Sequence, residues 1–259
     1  MVLTKGEIVA KRVLAECGLD DPTETPLPDI IFGRRAFYQE RPLDQKDGEM
    51  VTVGSRSIIT VNSNIPFETR RRFAAAHELG HYEMHRTLFP MYLDSEMDLI
   101  NWYQQGEHET EANQFAAEFL MPSKMFADEC RGKEFGPATM GYLADRFRVS
   151  KTAAILRYVR CGIYPFCVVF CRENRMRWWK MSEKFGLFLK FNSNLPPPTD
   201  SVAYELFTTN HSYTGEEQKQ TIWKSTWFSL KRGERDTQFF EYCLYVPSFN
   251  YTLSVIWNE

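Results

Sequence analysis

The sequence predicts an α+β fold in which a mainly helical first part is followed by a smaller part built on an antiparallel sheet. Before Pro165, apolar residues recur at helical spacing, most clearly in residues 67–86 and 108–120. After Pro165, short runs of β-branched and aromatic residues alternate with turn-like clusters, which is typical of antiparallel strands. The 259 residues are enough for one large domain or two modest ones, each with its own core.

The composition is that of a soluble globular protein, with 43% hydrophobic and 25% charged residues. The net charge of -3 argues against a generally cationic protein that coats nucleic acid or anionic membrane. No apolar run approaches the roughly 20 residues of a membrane span, and the charged N-terminal stretch does not resemble a signal peptide. The six cysteines form no C-x-x-C pair, so we expect reduced thiols and a cytoplasmic protein.

The first part contains several predicted elements. Helices are expected at residues 5–17, 67–86 and 108–120, and two more around a turn within 137–160. The stretch 50–61 (MVTVGSRSIITV) is rich in β-branched residues and predicts a strand. Residues 87–106 lie between these elements, and we expect a loop there that could hold a short helix.

The second part is predicted to contain strands in its apolar runs and one helix, SVAYELFTT. The runs are FCVVFC, MRWWKM, FGLFLKF, TIWKSTWFSL, FFEYCLYV and YTLSVIW. In a strand, neighbouring side chains point to opposite faces, so one of Trp178 and Trp179 should be buried and the other exposed.

The sequence His77-Glu78-Leu79-Gly80-His81 lies on the helix predicted at 67–86. Residues four apart share one helix face, so the two imidazoles can reach one zinc ion at roughly 2.0–2.1 Å. Glu78 would lie beside them and could take a proton from a zinc-activated water. Gly80 is unfavourable inside a helix by about 1 kcal/mol against alanine, which predicts that another element packs closely there.

A catalytic zinc site usually needs a third protein ligand, and the helix at 108–120 offers one. Glu109 shares a face with the small residues Ala112 and Ala116, which allow a close approach of the two helices. Spacing therefore favours Glu109, with Glu111 as the second choice and His108 as the third. Asn113, four residues after Glu109, is placed to hydrogen-bond a ligand. The alternative is an acidic, solvated first turn, which is common in helices.

Two stretches resemble the ImmA/IrrE family of metallopeptidases. They are ITVNSNIPFETRRRFAAAHELGHYEMH and ETEANQFAAEFLMP. The resemblance implies a zincin-like, gluzincin-type domain in which His77, His81 and Glu109 bind zinc. Glu109 is the first residue of the family's E-x-x-A-N pattern. Glu78 corresponds to the general base.

The resemblance covers roughly residues 5–160, including LADRFRVSKTAA, which is similar to a helix-turn-helix-like piece of these proteins. We therefore expect a metallopeptidase domain at 1–135, a helix-turn-helix-like segment at 136–163 and an α+β sensory or regulatory domain at 164–259. The last assignment is an analogy with family members that carry a GAF-like domain at this position.

The family resemblance also implies a function. Its members typically cleave a cognate helix-turn-helix repressor and so release genes of a phage, a mobile element, a damage response or a defence system. A protein substrate of this kind is the expected partner, and an effector could bind the C-terminal domain.

Several weaker features leave alternatives open. His85 lies one turn after His81, and a capping or packing role is favoured over a ligand role. Arg70-Arg71-Arg72 is better explained as a solvated helix face than as a DNA contact, and the basic residues of 146–160 pose the same question. The oxyanion stabiliser is open among Tyr82, Tyr103, His85 and His108.

Two other functions compete with the peptidase. The first is a non-enzymatic DNA-binding or sensory regulator with a structural metal site. Such a site needs four protein ligands and no base, so Glu78 argues against it. The second is a toxin–antitoxin or defence component that acts by protein contact, which the sequence does not separate from the peptidase.

Overall fold

The computed structural model describes residues 2–88, 91–93, 106–209, 211 and 213–259, without the side chains of 91–93, 216 and 248. Residues 89–90 and 94–105 of the loop expected at 87–106 therefore lie outside the described residues, and Met91–Leu93 form a strand instead. The chain divides into two compact units, Met1–Arg131 with Leu143–Ala153, and Gly132–Tyr142 with Ala154–Glu259. Among the described helices, none is long and apolar enough to cross a bilayer.

The first unit contains helices and a small sheet. Its elements are α1 (Lys5–Glu16), α2 (Leu27–Gly33), β1 (Ala36–Arg41), β2 (Gly48–Val53), β3 (Arg56–Asn62), α3 (Glu68–His85), β4 (Met91–Leu93), α4 (Glu107–Leu120) and α5 (Ser123–Cys130). Helices α6 (Pro137–Phe147) and α7 (Lys151–Cys161) each contribute residues to both units.

The sheet of the first unit has the strand order β1-β3-β2-β4. Strand β1 runs parallel to β3, and β2 is antiparallel to both β3 and β4. The single strand expected at 50–61 was therefore wrong, because β2 and β3 form a hairpin there. Gly54 lies in the turn with a φ of 61°, a backbone conformation that glycine adopts without strain.

Helices α1, α3 and α4 pack closely because glycines lie at their contacts. A Cβ on Gly80 of α3 would lie 3.1 Å from a ring carbon of Phe115 on α4. A Cβ on Gly6 of α1 would lie 2.3 Å from the backbone oxygen of Glu111. The close packing expected from Gly80 is therefore confirmed.

Thr4 begins α1 with a capping box, in which Thr4 Oγ1 accepts a hydrogen bond from the Glu7 amide.

The second unit is built on an antiparallel sheet with the order β6-β5-β9-β8-β7. Its elements are β5 (Cys167–Arg172), β6 (Arg175–Met181), α8 (Val202–Thr209), β7 (Gln220–Trp223), the one-turn helix α9 (Lys224–Trp227), β8 (Gln238–Val246) and β9 (Tyr251–Trp257). One core packs the apolar face of α8 against β5, β8 and β9. The α+β class predicted from the sequence is confirmed.

One of the expected strands was wrong, and another is shorter than expected. Residues 185–191 form no strand and contribute only a single bridge between Leu189 and Phe228. Gly186 has a φ of 64°, which interrupts an extended backbone. In TIWKSTWFSL, the strand ends at Trp223 and α9 follows. The expectation for the tryptophan pair is confirmed, since Trp178 is buried and Trp179 is 40% exposed.

Candidate metal centre

Helices α3 and α4 bring three side chains to one point. His77 and His81 lie one turn apart on α3, and both are buried. Their Nε2 atoms are 2.9 Å apart. Glu109, in the first turn of α4, places Oε2 3.0 Å from His77 Nε2 and Oε1 3.3 Å from His81 Nε2. Two imidazole nitrogens and one carboxylate therefore converge, as the spacing on the two helices predicts.

Asn113 determines which nitrogen of His77 faces this cluster. Its Oδ1 lies 2.9 Å from His77 Nδ1, and an amide oxygen only accepts hydrogen bonds. Nδ1 of His77 therefore carries the proton, and a neutral ring then has its lone pair on Nε2. This lone pair points at the carboxylate of Glu109, so a positive species between them would be stabilised.

A metal ion fits this donor set. Two imidazole nitrogens and a carboxylate oxygen are typical ligands of a catalytic zinc. Ligand atoms at 2.0–2.1 Å in a tetrahedral site are roughly 3.3–3.4 Å apart. The observed separations of 2.9–3.3 Å come close to this value. His77, His81 and Glu109 thus form a His/Glu group that could hold a metal ion.

The protonation states of His81 and Glu109 also favour the binding of a cation. Burial lowers the pKa of His81 to about 4, although the hydrogen bond to Glu109 opposes this. Burial raises the pKa of Glu109, but hydrogen bonds with His77 and His81 outweigh it and hold the pKa well below its ordinary value. At neutral pH the imidazole of His81 is neutral and Glu109 is ionised, and these are the forms that bind metals.

Glu78 lies on α3 between the two histidines in sequence, and its side chain is buried against strand β2. A Cβ on Gly48 would lie 2.8 Å from Glu78 Oε1 and 2.9 Å from its Cγ. Asp47, just before Gly48, accepts two hydrogen bonds of 2.7 Å from Arg70 of α3. This ion pair ties the start of β2 to the helix that carries Glu78, so the backbone of Gly48 limits where the carboxylate can lie.

The sequence did not single out Gly48 or Asp47. Asp-Gly is a turn signal, and it could have marked the beginning of β2. No local pattern, however, shows that this glycine meets a side chain 30 residues further along the chain. The contact depends on how the sheet packs against α3.

The other two ligand candidates, Glu111 and His108, belong to a second group of side chains, which surrounds His85. Glu111 Oε2 is 2.8 Å from His85 Nε2 and 2.7 Å from Lys5 Nζ. His108 Nδ1 lies 4.0 Å from the same oxygen. Glu111 and His108 therefore face His85, while Glu109 faces the pair His77 and His81.

The oxyanion candidates and the basic residues have varied surroundings. Tyr82 donates its hydroxyl to the backbone oxygen of Arg34 at 2.8 Å, and Tyr103 lies outside the described residues. Arg146 binds Asp21 at 2.6 Å and Glu129 at 2.9 Å. Arg70 and Arg146 are thus held by acidic neighbours within the first unit, which favours a structural role over a DNA contact for these two residues. The solvated helix face expected at 70–72 was wrong for Arg72, which is buried.

A small sheet packed on a helix with two buried histidines, and a second helix with a facing glutamate, define a zincin-like domain. Residues 37–158 match the Peptidase_M78 family model, described as the IrrE N-terminal-like domain. The match confirms the resemblance to ImmA/IrrE proteins over these residues.

The whole fold also has a relative among solved structures. It is similar to a Mycobacterium tuberculosis transcriptional regulator, with a TM-score of 0.60 and 12% sequence identity. The match covers 99% of this chain and 77% of that one. At this identity the likeness extends to the fold alone. No curated protein shows significant sequence similarity to the chain.

Proposed function

We propose that the protein is a zinc-dependent endopeptidase that cleaves a helix-turn-helix repressor and so relieves repression. The convergence of His77, His81 and Glu109, with Glu78 on the same helix, is the observation that carries this proposal. The match of residues 37–158 to a peptidase family model supports it.

In this proposal His77, His81 and Glu109 hold zinc, and Asn113 keeps His77 in the tautomer whose Nε2 faces the ion. The bound ion would supply Lewis acidity to the attacking water and the scissile carbonyl. Because three protein ligands leave one position of a tetrahedral site for water, the set suits catalysis better than a purely structural role.

Glu78 is the general base of the proposed reaction. Its carboxylate would take a proton from the attacking water and pass it to the amine that leaves the cleaved bond. Contact with the backbone of Gly48 would limit its side chain to few rotamers, which suits a group that must meet one water molecule.

The substrate and the regulation belong to the same proposal. The ImmA/IrrE resemblance favours a repressor as the substrate, and the likeness in fold to a transcriptional regulator agrees with a regulatory role. We also propose that residues 164–259 form a sensory domain that takes an effector, that 136–163 act as a helix-turn-helix-like segment, and that the protein is cytoplasmic.

The test is Glu78→Gln in the full chain, incubated with zinc and the purified repressor encoded beside its gene. We expect zinc content equal to that of the wild type and a fall in cleavage rate of at least about 100-fold, because general base catalysis is typically worth 10²–10⁴. Zinc is measured by atomic emission and cleavage by mass spectrometry of the products.

Glu107→Gln is the matched control, since Glu107 is exposed at the beginning of α4 and should leave both quantities unchanged. Cleavage by Glu78→Gln at the wild-type rate would exclude the proposed mechanism. A wild-type protein that holds zinc but leaves the repressor intact would instead favour a regulator with a structural metal.

A further inference from the structure

His85 connects the candidate metal centre to a second helix and to the N-terminal helix. It is buried one turn after His81, and the Nδ1 atoms of the two rings are 3.0 Å apart. On its other side, His85 Nε2 lies 2.8 Å from Glu111 Oε2. Lys5 of α1 donates to the same oxygen at 2.7 Å. The four side chains form a continuous chain from α1 to the pair of histidines.

The directions of these hydrogen bonds follow from the chemistry of the groups. An ionised carboxylate only accepts, so the bond to Glu111 places the proton of a neutral His85 on Nε2. His85 Nδ1 then has a lone pair and accepts from His81 Nδ1. A neutral His81 that donates from Nδ1 has its lone pair on Nε2, which faces His77 and Glu109.

We propose that His85 and Glu111 are positioning residues that hold His81 in the tautomer and ring orientation required for binding zinc through Nε2. They do for His81 what Asn113 does for His77. The inference rests on the proposed zinc site, and it gives a role to a histidine and a glutamate that the reaction itself does not use.

A competing interpretation is a second metal ion, because donor atoms of His85, His108 and Glu111 lie within 4.8 Å of one another. If His85 bound a cation through Nε2, its neutral ring would carry a proton on Nδ1. This N–H would face the N–H of His81 Nδ1 across 3.0 Å, and two donors repel at that distance. Zinc on His81 therefore opposes a second cation on His85, and Lys5 already places an ammonium group on Glu111.

The experiment measures zinc binding in the full chain, by competition with a chromophoric chelator for affinity and by equilibrium dialysis for stoichiometry. We expect His85→Leu, which removes the acceptor for His81, to weaken zinc binding by about 10- to 100-fold, the usual effect of losing such a partner. His85→Asn should lose less, because its amide oxygen can accept near the position of the lost Nδ1.

His108→Leu and His211→Leu are the controls. Both should bind one zinc per chain with wild-type affinity, since neither residue is part of the proposed chain. If the wild type instead binds two zinc ions and His108→Leu binds one, the second-metal interpretation is correct and the positioning role is wrong.

The proposal is also overturned if folded His85→Leu binds zinc as tightly as the wild type. Should circular dichroism show that this variant is unfolded, Glu111→Gln decides, with an expected weakening of about threefold or more and wild-type affinity as the contrary result. Because the readout is zinc affinity, a wild type that binds zinc normally but cleaves no repressor would contradict the proposed function alone.

Discussion

Each unit of the chain has a carboxylate surrounded by polar partners, half-buried in the first unit and completely buried in the second, but the partners differ in kind. In the first unit, Glu109 faces two imidazoles, which can each gain or lose a proton. In the second unit, Glu241 is completely buried on β8 and accepts four hydrogen bonds. The donors are the amides of Val202 and Ala203 at 3.1 and 3.2 Å, the indole of Trp227 at 3.0 Å and the hydroxyl of Ser254 at 2.6 Å.

The difference teaches that burial of a charge does not by itself indicate a functional site. The partners of Glu241 are donors at neutral pH and lie on elements of one core, so they suit a structural role: joining α8 and α9 to the sheet. The partners of Glu109 present lone pairs or protons according to conditions, so a metal ion can replace a proton among them.

The largest expected effect comes from removing the acceptor in the second unit. Glu241→Leu leaves two amides, an indole and a hydroxyl buried without their acceptor. Each unsatisfied group costs about 1–3 kcal/mol, and we expect partial relaxation to leave a loss of roughly 3–5 kcal/mol. Hydrogen exchange of β8 and β9 measures this loss locally, while protection of α3 should stay unchanged.

Glu241→Gln is the matched variant, because it keeps one acceptor oxygen and the side-chain volume. Its loss of stability should be clearly smaller than that of the leucine variant. Glu183→Gln, at an exposed position, should change stability by no more than about 0.5 kcal/mol. Equal losses for the leucine and glutamine variants would mean that the four hydrogen bonds contribute little.

The second prediction concerns pH and the metal-free first unit. The pKa of His81 is about 4 in the fold against 6.5 for an ordinary histidine, so the unfolded chain binds the extra proton between these values. The free energy of unfolding is therefore highest above pH 6.5 and falls as the pH drops towards 4, by up to about 3 kcal/mol. Hydrogen exchange of α3 at several pH values, with a chelator present, measures the slope.

His81→Gln should flatten this slope, since it removes the titrating ring. A slope in the variant equal to that of the wild type would assign the effect to other groups. In the second unit, the pH dependence of stability has the opposite sign. Complete burial raises the pKa of Glu241 against the four hydrogen bonds that lower it, so its contribution to stability increases as the pH falls.

The smallest of these effects concerns the contact between Gly48 and Glu78. In Gly48→Ala the new methyl group would lie 2.8 Å from Glu78 Oε1, so the carboxylate must move. We expect kcat/KM for repressor cleavage to fall by about 10- to 100-fold while zinc content is retained, because small displacements of catalytic groups cost this much.

Gly33→Ala is the control for Gly48→Ala, since a Cβ there would meet no atom within 4 Å and α2 ends at this residue. It should cleave at the wild-type rate. Unchanged cleavage by Gly48→Ala would indicate that Glu78 is not confined by β2 or does not act as the base.

Local patterns predicted the longer helices of the first unit well because their signals are periodic and short in range, whereas the short helices α2 and α5 were not predicted. The helix expected at 67–86 is Glu68–His85, and the one expected at 108–120 is Glu107–Leu120. The convergence of Glu109 with His77 and His81 agrees with the face that Glu109 shares with small residues. Its role as a ligand stays a prediction, as do the roles of the other residues of the centre.

The features that the sequence could not predict depend on contacts between distant segments. Glu241 is one acidic residue in an apolar run, and nothing nearby indicates that α8 supplies two amides to it. Residues 185–191 are as apolar as the true strands, yet they pair at one position only, and Gly186 with its φ of 64° interrupts the extended backbone there. The hairpin of β2 and β3 was hidden because Gly54 is a single residue within a β-branched run.

The close approach at Gly6 has a practical consequence. A Cβ there would overlap the backbone of α4 at Glu111, the residue next but one to Glu109, and the preceding Lys5 binds the Glu111 side chain. Helix α1 therefore supports α4 at the turn that carries Glu109 and Glu111. We expect proteolytic removal of α1 to loosen α4 and to inactivate the protein, although both histidines would remain.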